Sequence, residues 1–403
     1  MESELIKRFC RYVKVETTSD DRVVGKCPTT DGQLKLIRML EDELVAMGVK
    51  NACIDKNGYL HAIIPGNSKN KKVFGFISHA DTSPEVSGKN VKPIIHKNYD
   101  GKSLKLNEKY TLTTEDFPQL KKHIGKDLVV TDGNTLLGAD DKAGIAIIMS
   151  AVEYFMKHPE VKHHPISIAF TVDEEIGEGT DHFSLDKMQA DYGFTLDGAD
   201  IDCIDYENFN AQGVKLFVQG VAVHPGEGKN ALVNALVLIN EFVSALPANE
   251  TPFDANEDEG YWHVNSINGT SESATLEMIL RDFDREKLNQ RDAQIKQIVK
   301  DIQAKWPKAK IELSIEEQYE NMKPYVDKDP RPVQVAMDAM RRMGITPRST
   351  KIRGGTDGAT MSKMGLVTPN LGTGSANHHG RYEYLVIQDF EKMIELVKEI
   401  LKY

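Results

Sequence analysis

Short apolar runs alternate with amphipathic helical patterns through the first half of the chain, and this alternation restricts the fold more than any other feature. Four runs bounded by turn residues predict strands, and the last three are apolar enough to be buried: Tyr59–Pro65, Val73–Ser78, Ile166–Val172 and Tyr192–Leu196. Helical periodicity marks three segments: Glu2–Val15, the stretch from Asp31 to Val45, and Asp141–Phe155. Strands that alternate with helices predict an α/β layer around a largely parallel sheet.

The pattern changes after Asn208. Only two helical patterns follow, at Asn230–Leu246 and Glu286–Lys305. They alternate with three strand runs, at Val214–Val223, Ala274–Phe283 and Lys310–Ile315. Two helices with these strands predict an α+β unit with an antiparallel sheet. The alternation then resumes with a helix, two strands and a closing helix: Pro330–Met343, Thr350–Ile352, Val367–Leu371 and Asp389–Leu401. The chain therefore reads as one α/β domain, residues 1–209 and 321–403, interrupted by an inserted domain at residues 210–320.

Charge and cysteine content limit the classes of partner. The chain has 50 Lys and Arg residues against 61 Asp and Glu residues, a formal charge of −11 that disfavours nucleic acids and anionic membranes. No stretch approaches the roughly 20 apolar residues needed to span a bilayer, and the first residues lack a secretory pattern. The four cysteines form no CxxC pair, which favours reduced thiols. We expect a cytoplasmic protein with no nucleic-acid or membrane partner.

Two segments combine ionisable side chains with a strand end or a helix start. His79 and Asp81 follow a buried run and point the same way in an extended chain, so one could bind a metal while the other orients a ligand or a base. A histidine paired with a turn aspartate is the simpler explanation. Asp140 and Asp141 begin a helix, where a carboxylate is a common cap but can also bridge two metal ions.

Three further segments have the same character. Asp173-Glu174-Glu175 directly follows a core strand, where a cation would relieve the repulsion among the carboxylates, although an exposed acidic turn has the same sequence. Asp197 precedes Gly198 at another strand end, where it could be a metal ligand or part of a turn. His378 and His379 lie in a Gly-rich loop, which favours metal binding or catalysis over core packing.

Together these residues make an oxygen- and nitrogen-rich ligand set suited to two divalent ions. Two such ions activate a bridging water and polarise a carbonyl. A carboxylate left outside the ligand set could accept the proton of that water.

The segments, in this order, resemble those of the tripeptide aminopeptidases in the co-catalytic zinc peptidase family, which also contains glutamate carboxypeptidase and succinyl-diaminopimelate desuccinylase. The resemblance covers essentially the whole chain and rests on SHADTSPEVSGKNVKP, TLLGADDKAGIA, DEEIGEG, ENFNA, VHPG, RDFDR, RGGTDGA and NHHGRYE. It implies a zinc-peptidase catalytic domain, with a mostly parallel sheet flanked by helices, and an inserted α+β lid or dimerisation domain.

The resemblance also implies roles for individual residues. One metal would be held by His79, Asp140 and Asp197 and the other by Asp140, Glu175 and His379, so that Asp140 bridges. Glu174 would be the general base and Asp81 a partner that tunes His79. Position in the DxK motif favours Asp140 over Asp141, and spacing to Glu383 favours His379 over His378. Zinc is the expected metal, and a His/carboxylate set also accepts cobalt or manganese.

In the inserted domain, the resemblance implies that His224 stabilises the oxyanion. Arg353 would bind the terminal carboxylate of the substrate, as a bidentate guanidinium can, and Arg281 matches a motif without a readable role. The implied function is a metal-dependent aminopeptidase that removes the N-terminal residue from tripeptides. A related dipeptidase, carboxypeptidase or N-acyl amino-acid deacylase would carry the same ligands, and a non-catalytic binding protein is a more remote alternative. The inserted domain could also form a homodimer.

Overall fold

The computed structural model describes residues 3–402, which form two compact units. The first contains the residues up to Tyr206, Met322–Thr350 and the residues from Thr356 onward, and the second contains Glu207–Asn321 and Lys351–Gly355. The predicted boundaries after residues 209 and 320 differ from these by three residues and by one. The segment Lys351–Gly355, assigned from the sequence to the first domain, packs with the second unit instead. Residues 1, 2 and 403 of the predicted first domain lie outside the described residues.

A seven-stranded sheet forms the centre of the first unit. Its strands, in spatial order, are β1 (Cys53–Ile54), β2 (Leu60–Ile64), β8 (Ile166–Thr171), β3 (Phe74–His79), β9 (Tyr192–Gly198), β15 (Asn370–Gly372) and β10 (Ile204–Asp205). The four strands from β8 to β15 run parallel to one another, and the flanking pairs are antiparallel. Every residue of β3 and β8 is buried, as is usual when helices cover both faces of a parallel sheet.

Among the described residues, eight α-helices belong to the first unit: α1 (Glu4–Tyr12), α2 (Asp31–Ala46), α3 (Ala139–Lys157), α4 (Leu185–Met188), α7 (Lys323–Lys328), α8 (Arg331–Arg342), α9 (Asp357–Met364) and α10 (Ile387–Ile400). Helix α3 packs on β3 and β9, and α1 and α10 pack on α3. None of the helices within residues 3–402 is long and apolar enough to cross a lipid bilayer.

Two small antiparallel sheets complete the first unit. One contains β16 (Ser375–Ala376), β17 (Tyr384–Val386), β7 (Leu128–Val130) and β4 (Ile94–His96), and the other pairs β5 (Leu104–Lys105) with β6 (Thr111–Leu112). The apolar pattern predicts none of these strands, because two or three residues are too few to show alternation. The first of these sheets matters for the site, since β16 and β17 flank the loop that carries His378 and His379.

The second unit is a four-stranded antiparallel sheet with two helices. The spatial order is β12 (Tyr261–Gly269), β13 (Ser273–Asp282), β11 (Asn210–Gln219) and β14 (Lys310–Tyr319), and the helices are α5 (Ala235–Ala245) and α6 (Arg285–Lys305). Alternate apolar residues of the sheet form its core with one side of each helix, among them Leu216, Leu276, Leu238, Phe242 and Ile295. This is the α+β arrangement that the sequence predicts.

Two local differences from the sequence-based expectation stand out. Thr350–Ile352 was predicted to be a strand, and this is wrong: Ile352 forms only an isolated bridge with Asn208. Strand β12 was missed because only Trp262 and Val264 of its residues pack against the core, so the apolar pattern is short.

Candidate metal centre and active site

The candidate site lies where the central parallel strands of the first unit end. His79 is the last residue of β3, and Asp197 is the penultimate residue of β9. Glu174 and Glu175 begin a short 3₁₀ turn, two residues after β8. Because the carboxyl ends of parallel strands meet at one edge of a sheet, these side chains converge there.

The first turn of α3 brings Asp140 to the same edge. Asp140 has non-helical dihedral angles (φ −81°, ψ 105°), and its peptide bond to Asp141 is cis. A Cβ atom at Gly144 would lie only 2.1 Å from the Leu196 carbonyl oxygen and 2.4 Å from Ser78 Oγ. Glycine at this position therefore allows α3 to start in direct contact with the ends of β3 and β9.

The two oxygens of Asp140 face different histidines. Oδ1 lies 2.9 Å from His79 Nε2, and Oδ2 lies 3.4 Å from His379 Nε2. Asp197 Oδ1 is 3.4 Å from His79 Nε2, and Glu175 Oε2 is 2.9 Å from His379 Nε2. The five residues predicted as metal ligands thus lie in two groups that share the Asp140 carboxylate.

The neighbouring Asp141 is fully buried and is used differently. Its Oδ1 accepts a hydrogen bond from the Gly144 amide, and its Oδ2 accepts one from the His79 amide. Asp141 lies close enough to His79 and Asp197 to contribute a ligand atom. Since both of its oxygens already accept backbone hydrogen bonds, Asp140 is the better candidate for the shared ligand.

The two adjacent histidines also differ. His379 Nε2 contacts both Glu175 and Asp140. His378 Nδ1 lies 3.5 Å from Asp140 Oδ2, while its Nε2 is 2.8 Å from Ser375 Oγ. His379 therefore contacts two candidate ligands, whereas His378 contacts one.

Divalent ions fit this donor set. In a tetrahedral zinc site with bonds of about 2.0–2.2 Å, ligand atoms lie about 3.3–3.6 Å apart, and each histidine lies at a similar distance, 2.9–3.4 Å, from its two carboxylates. Oε1 of Glu175 is buried and has no hydrogen-bond partner within residues 3–402. An acceptor in this position is energetically costly unless a cation or a donor binds it.

Glu174 lies beside the two groups without closing either of them. Its Oε2 is 4.0 Å from His79 Nε2, and its side chain is 15% exposed. Burial, together with the charge of Asp197, raises the pKa of Glu174 well above its usual value, although His79 opposes the shift. A carboxyl group with a raised pKa next to a metal centre can both accept and return a proton.

Two further carboxylates hold the backbone of the site. Asp81 accepts hydrogen bonds from the Glu174 and Glu175 amides, each at 3.1 Å. His79 Nδ1 lies 3.1 Å from the backbone oxygen of Asp81 and 3.4 Å from its Oδ1. The predicted contact between Asp81 and His79 is present, but the carboxylate of Asp81 mainly binds the turn that carries the two glutamates.

The second of these carboxylates belongs to Glu383, which is 1% exposed. It accepts hydrogen bonds from the amides of Leu137, Gly138 and Asp140, at 2.7–3.0 Å. From the sequence, Glu383 served only as a reference for the spacing of His379, and this role was missed. A glutamate shortly before the apolar run Tyr384–Ile387 was the available signal.

Electrostatics favour a cation at this site. Burial and Asp140 raise the pKa values of Glu175 and Asp197 to about 7. Contacts with Asp140 and Glu175 raise the pKa of His379 to about 11. Burial lowers the pKa of His79, but Asp197 and Asp140 more than offset this and leave it well above its usual value. The shifts of Glu175 and Asp197 reflect burial together with an excess of carboxylates, and bound cations would favour the ionised carboxylates.

Three residues singled out from the sequence belong to the second unit. His224 is exposed, and its Nδ1 accepts a hydrogen bond from the Gly226 amide at 3.2 Å. Arg353 is exposed, and its Nη1 donates to the backbone oxygens of Asn256 and Glu257. Arg281 is 9% exposed and donates to backbone oxygens of β11 and β13, so it supports the sheet.

The sequence of this chain matches a known family. Peptidase family M20/M25/M40 matches residues 128–403. Peptidase T of Caldanaerobacter subterraneus subsp. tengcongensis is 44% identical over 403 residues, which cover 99% of this chain and 98% of the relative. The chain belongs to peptidase family M20/M25/M40.

Solved structures share the fold. Aminopeptidase PepT of Bacillus cereus aligns with a TM-score of 0.78 at 22% identity, over 99% of this chain and 97% of the other. The YxeP protein of Bacillus subtilis, a dinuclear metal-binding peptidase of the M20 family, aligns with a TM-score of 0.65 at 12% identity, over 99% and 96%. The predicted family resemblance and fold class are confirmed, and this member of family M20/M25/M40 is a metal-dependent peptidase.

Proposed function

We propose that this peptidase is an aminopeptidase that releases the N-terminal residue from tripeptides. The relative named peptidase T supports this specificity, since the two chains align over almost their full lengths. The observation that carries the catalytic part is the position of Glu174, a carboxyl group with a raised pKa next to the ligand cluster but not part of it.

The cofactors in this proposal are two divalent ions, most simply zinc. His79, Asp197 and Asp140 would hold one, and Asp140, Glu175 and His379 the other. When bound, such ions lower the pKa of a water molecule and polarise the scissile carbonyl. Elemental analysis of protein purified without chelators should find two metal ions per chain. One ion per chain at saturation would contradict the shared-carboxylate arrangement.

Glu174 moves the proton in this mechanism. Its carboxylate accepts a proton from the attacking water and then donates it to the departing amine. The side chain can serve both steps because it lies beside the ligand cluster and is not committed to a hydrogen bond with His79 at 4.0 Å.

His224 is proposed to stabilise the developing oxyanion. Because its Nδ1 accepts the Gly226 amide hydrogen, the neutral imidazole carries its proton on Nε2. The exposed side chain can therefore donate a hydrogen bond without first gaining a proton. His224→Gln should lower kcat more than it raises KM, since this contact strengthens only in the transition state.

Arg353 is proposed to bind the terminal carboxylate and so to favour tripeptides. Its guanidinium lies over the rings of Phe209 and Tyr261, and Nη1 is fixed by two carbonyl oxygens of the loop at residues 249–260. This leaves Nε and Nη2 for a bidentate pair with a carboxylate. If Arg353→Ala left the preference for tripeptides over tetrapeptides unchanged, this part of the proposal would be wrong.

A substrate panel tests the specificity. A free tripeptide, the matched dipeptide and tetrapeptide, and the N-acetylated tripeptide are incubated with metal-loaded protein and with its Glu174→Ala variant. We expect cleavage of the free tripeptide at its first bond, and loss of that cleavage in the variant. Preferred cleavage of the dipeptide or the acetylated peptide would instead indicate a dipeptidase or a deacylase.

Assembly and location are proposed on narrower grounds. The ten-residue edge strand β14 is mostly exposed and could pair with a second copy to form a homodimer, which light scattering over a concentration series would detect. Cys27, Cys53 and Cys203 form no disulfide bond within residues 3–402, which supports a reducing cytoplasmic compartment. We expect no binding of nucleic acids at this net charge.

A further inference from the structure

The first carboxylate of the segment Asp173-Glu174-Glu175 points away from the metal ligands. Asp173 is fully buried, and its Oδ2 accepts a hydrogen bond from the Thr29 amide at 2.8 Å. Its Oδ1 accepts bonds from Thr29 Oγ1 at 2.5 Å and from Gln33 Nε2 at 2.6 Å. Thr29 lies two residues before the first residue of α2 and Gln33 lies in its first turn, and α2 supplies none of the candidate ligands.

The backbone of the same segment is fixed at three consecutive amides. The Asp173 amide donates to Gln33 Oε1 at 3.0 Å. The Glu174 and Glu175 amides donate to the two oxygens of Asp81. Gln33 therefore binds Asp173 twice, once as an acceptor and once as a donor, which only an amide side chain of this length can do.

These contacts hold a backbone conformation that is otherwise disfavoured. Asp173 has φ +60°, in the left-handed region that residues with a Cβ atom rarely adopt. Residues in such conformations persist when the surrounding structure fixes them, and they cluster at functional sites. Here the conformation turns the chain between β8 and the 3₁₀ turn, so that the Asp173 side chain contacts Thr29 and Gln33 while Glu174 lies beside His79 and Glu175 contacts His379.

We infer that Gln33 and Thr29 are positioning residues, which act through Asp173 to set the direction of the Glu174 carboxyl group. This inference rests on the proposed role of Glu174 as the proton carrier. Loss of the contacts would allow the turn to relax. A displacement of about 1 Å in a reacting group costs about 100-fold in rate, whereas binding of the substrate and of the metals by other residues would be retained.

The test compares two buried threonines with matched contacts. Thr29 Oγ1 donates to Asp173 and accepts from the Asp20 amide. Thr131 Oγ1 donates to the Thr135 oxygen and accepts from the Gly133 amide, in a part of the first unit with no contact to Asp173. Thr29→Val and Thr131→Val therefore each remove a buried hydroxyl that donates one hydrogen bond and accepts one from a backbone amide, with a carboxylate as the acceptor at Thr29 and a backbone oxygen at Thr131. Thr29→Ser retains the hydroxyl.

We expect kcat on the tripeptide, at saturating metal, to fall about 10-fold in Thr29→Val and about 100-fold in Gln33→Met. KM and metal content should stay within about twofold of the wild-type values. Thr29→Ser and Thr131→Val should retain wild-type kcat. Thermal unfolding of all four variants identifies any loss that comes from instability alone.

Several results would overturn the inference. One is an equal loss of kcat in Thr29→Val and Thr131→Val. Another is a loss of kcat in Gln33→Met that excess metal reverses. The third is wild-type kcat in a folded Gln33→Met protein. The Glu174→Gln variant separates this failure from failure of the proposed function. If it is inactive while Gln33→Met is fully active, only the positioning inference is wrong. If it is fully active, the role of Glu174 is wrong and the inference fails with it.

Discussion

The two halves of the candidate metal centre are built on different kinds of structure. In the strand half, His79 and Asp197 extend from adjacent parallel strands, and the His79 side chain is 2% exposed. In the loop half, Glu175 lies in a short turn, and His379 lies in a loop with φ +60° and a side chain that is 39% exposed. Asp140 belongs to both halves.

The difference shows how each half keeps its geometry. The strand half is fixed by the packing of β3, β9 and α3, which bury apolar side chains away from the site. The loop half depends on carboxylates that bind backbone amides, since Asp81 holds the turn at Glu175 and Glu383 holds the chain around Asp140. We therefore expect the strand half to keep its shape without metal and the loop half to bind its ion more weakly.

The largest expected effect on kcat comes from substitution of Glu174, which belongs to neither half. Glu174→Gln keeps the size of the side chain but removes the proton acceptor, so kcat should fall by about 10²–10⁴-fold. The metal content should remain two ions per chain, because Glu174 completes neither ligand group. Loss of one ion in this variant would instead make Glu174 a ligand and would break the division into two halves.

Ligand substitutions separate the halves directly. His379→Gln should weaken one ion by at least about 100-fold, and should lower the free energy of unfolding of the metal-free protein by less than His79→Gln does, because its side chain is 39% exposed and water screens its contacts with the carboxylates. His79→Gln should also weaken an ion, and should lower the free energy of unfolding of the metal-free protein by about 1–3 kcal/mol, because it leaves buried carboxylates without a partner.

Isothermal titration with zinc and chemical denaturation of the chelated proteins measure these two quantities. Equal destabilisation by the two substitutions would contradict the comparison, because it would mean that both halves are fixed in the same way.

Substitution of the supporting carboxylates should give intermediate effects. Asp81→Asn replaces one of two acceptors for the Glu174 and Glu175 amides, so the loop-half ion should bind about 10–100-fold more weakly. Glu383→Gln should weaken both ions, because Glu383 holds the backbone of the shared ligand. Competition with a chromophoric chelator resolves the two affinities, and Asp132→Asn, at a partly exposed carboxylate that pairs with Lys92, is the control.

The smallest effect concerns pH. Glu175 and Asp197 have pKa values raised to about 7 in the folded, metal-free protein, so the folded state holds protons that the unfolded state has released between about pH 4 and 7. Their contribution to stability is present below pH 4 and is lost as the pH rises through 7. The histidine shifts have the same sign, because raised pKa values favour folding at low pH.

Bound metal replaces those protons. The difference in melting temperature between metal-loaded and metal-free protein should therefore widen from pH 5 to pH 8, by a few degrees, and Glu175→Gln should reduce the widening. Differential scanning calorimetry at constant ionic strength measures it. If the difference in melting temperature did not change with pH, Glu175 and Asp197 would not be holding protons in the metal-free protein.

Much of the fold could be predicted because its signals are local. The sequence predicts α6 from Glu286, and the structure starts it at Arg285, after Asp284, whose side chain caps the first amides. The buried runs at β3, β8 and β9 were read correctly because their apolar side chains are almost uninterrupted. The segment Lys351–Gly355 could not be assigned, since its place in the second unit depends on contacts of Arg353 with residues about 100 positions away.

The site divides in the same way. Strand ends carry or shortly precede His79, Glu175 and Asp197, and the apolar runs of the sequence show where these strands end. The roles of Glu383 and Gln33 arise from hydrogen bonds to backbone amides 243–246 and 140 positions away, respectively, and a local pattern such as the apolar run after Glu383 cannot identify such distant partners. Conversely, the choice of Asp140 over Asp141 came from the family resemblance, and the structure supports it through the two amides that already occupy Asp141.

In the proposed two-ion centre, one carboxylate, Asp140, serves both halves. Anomalous diffraction from zinc-loaded crystals, collected on both sides of the zinc absorption edge, can locate both ions. We expect two peaks about 3.5–4 Å apart, with Asp140 Oδ1 nearest the peak at His79 and Oδ2 nearest the peak at His379. A single peak, or two peaks bridged by Asp141, would contradict it.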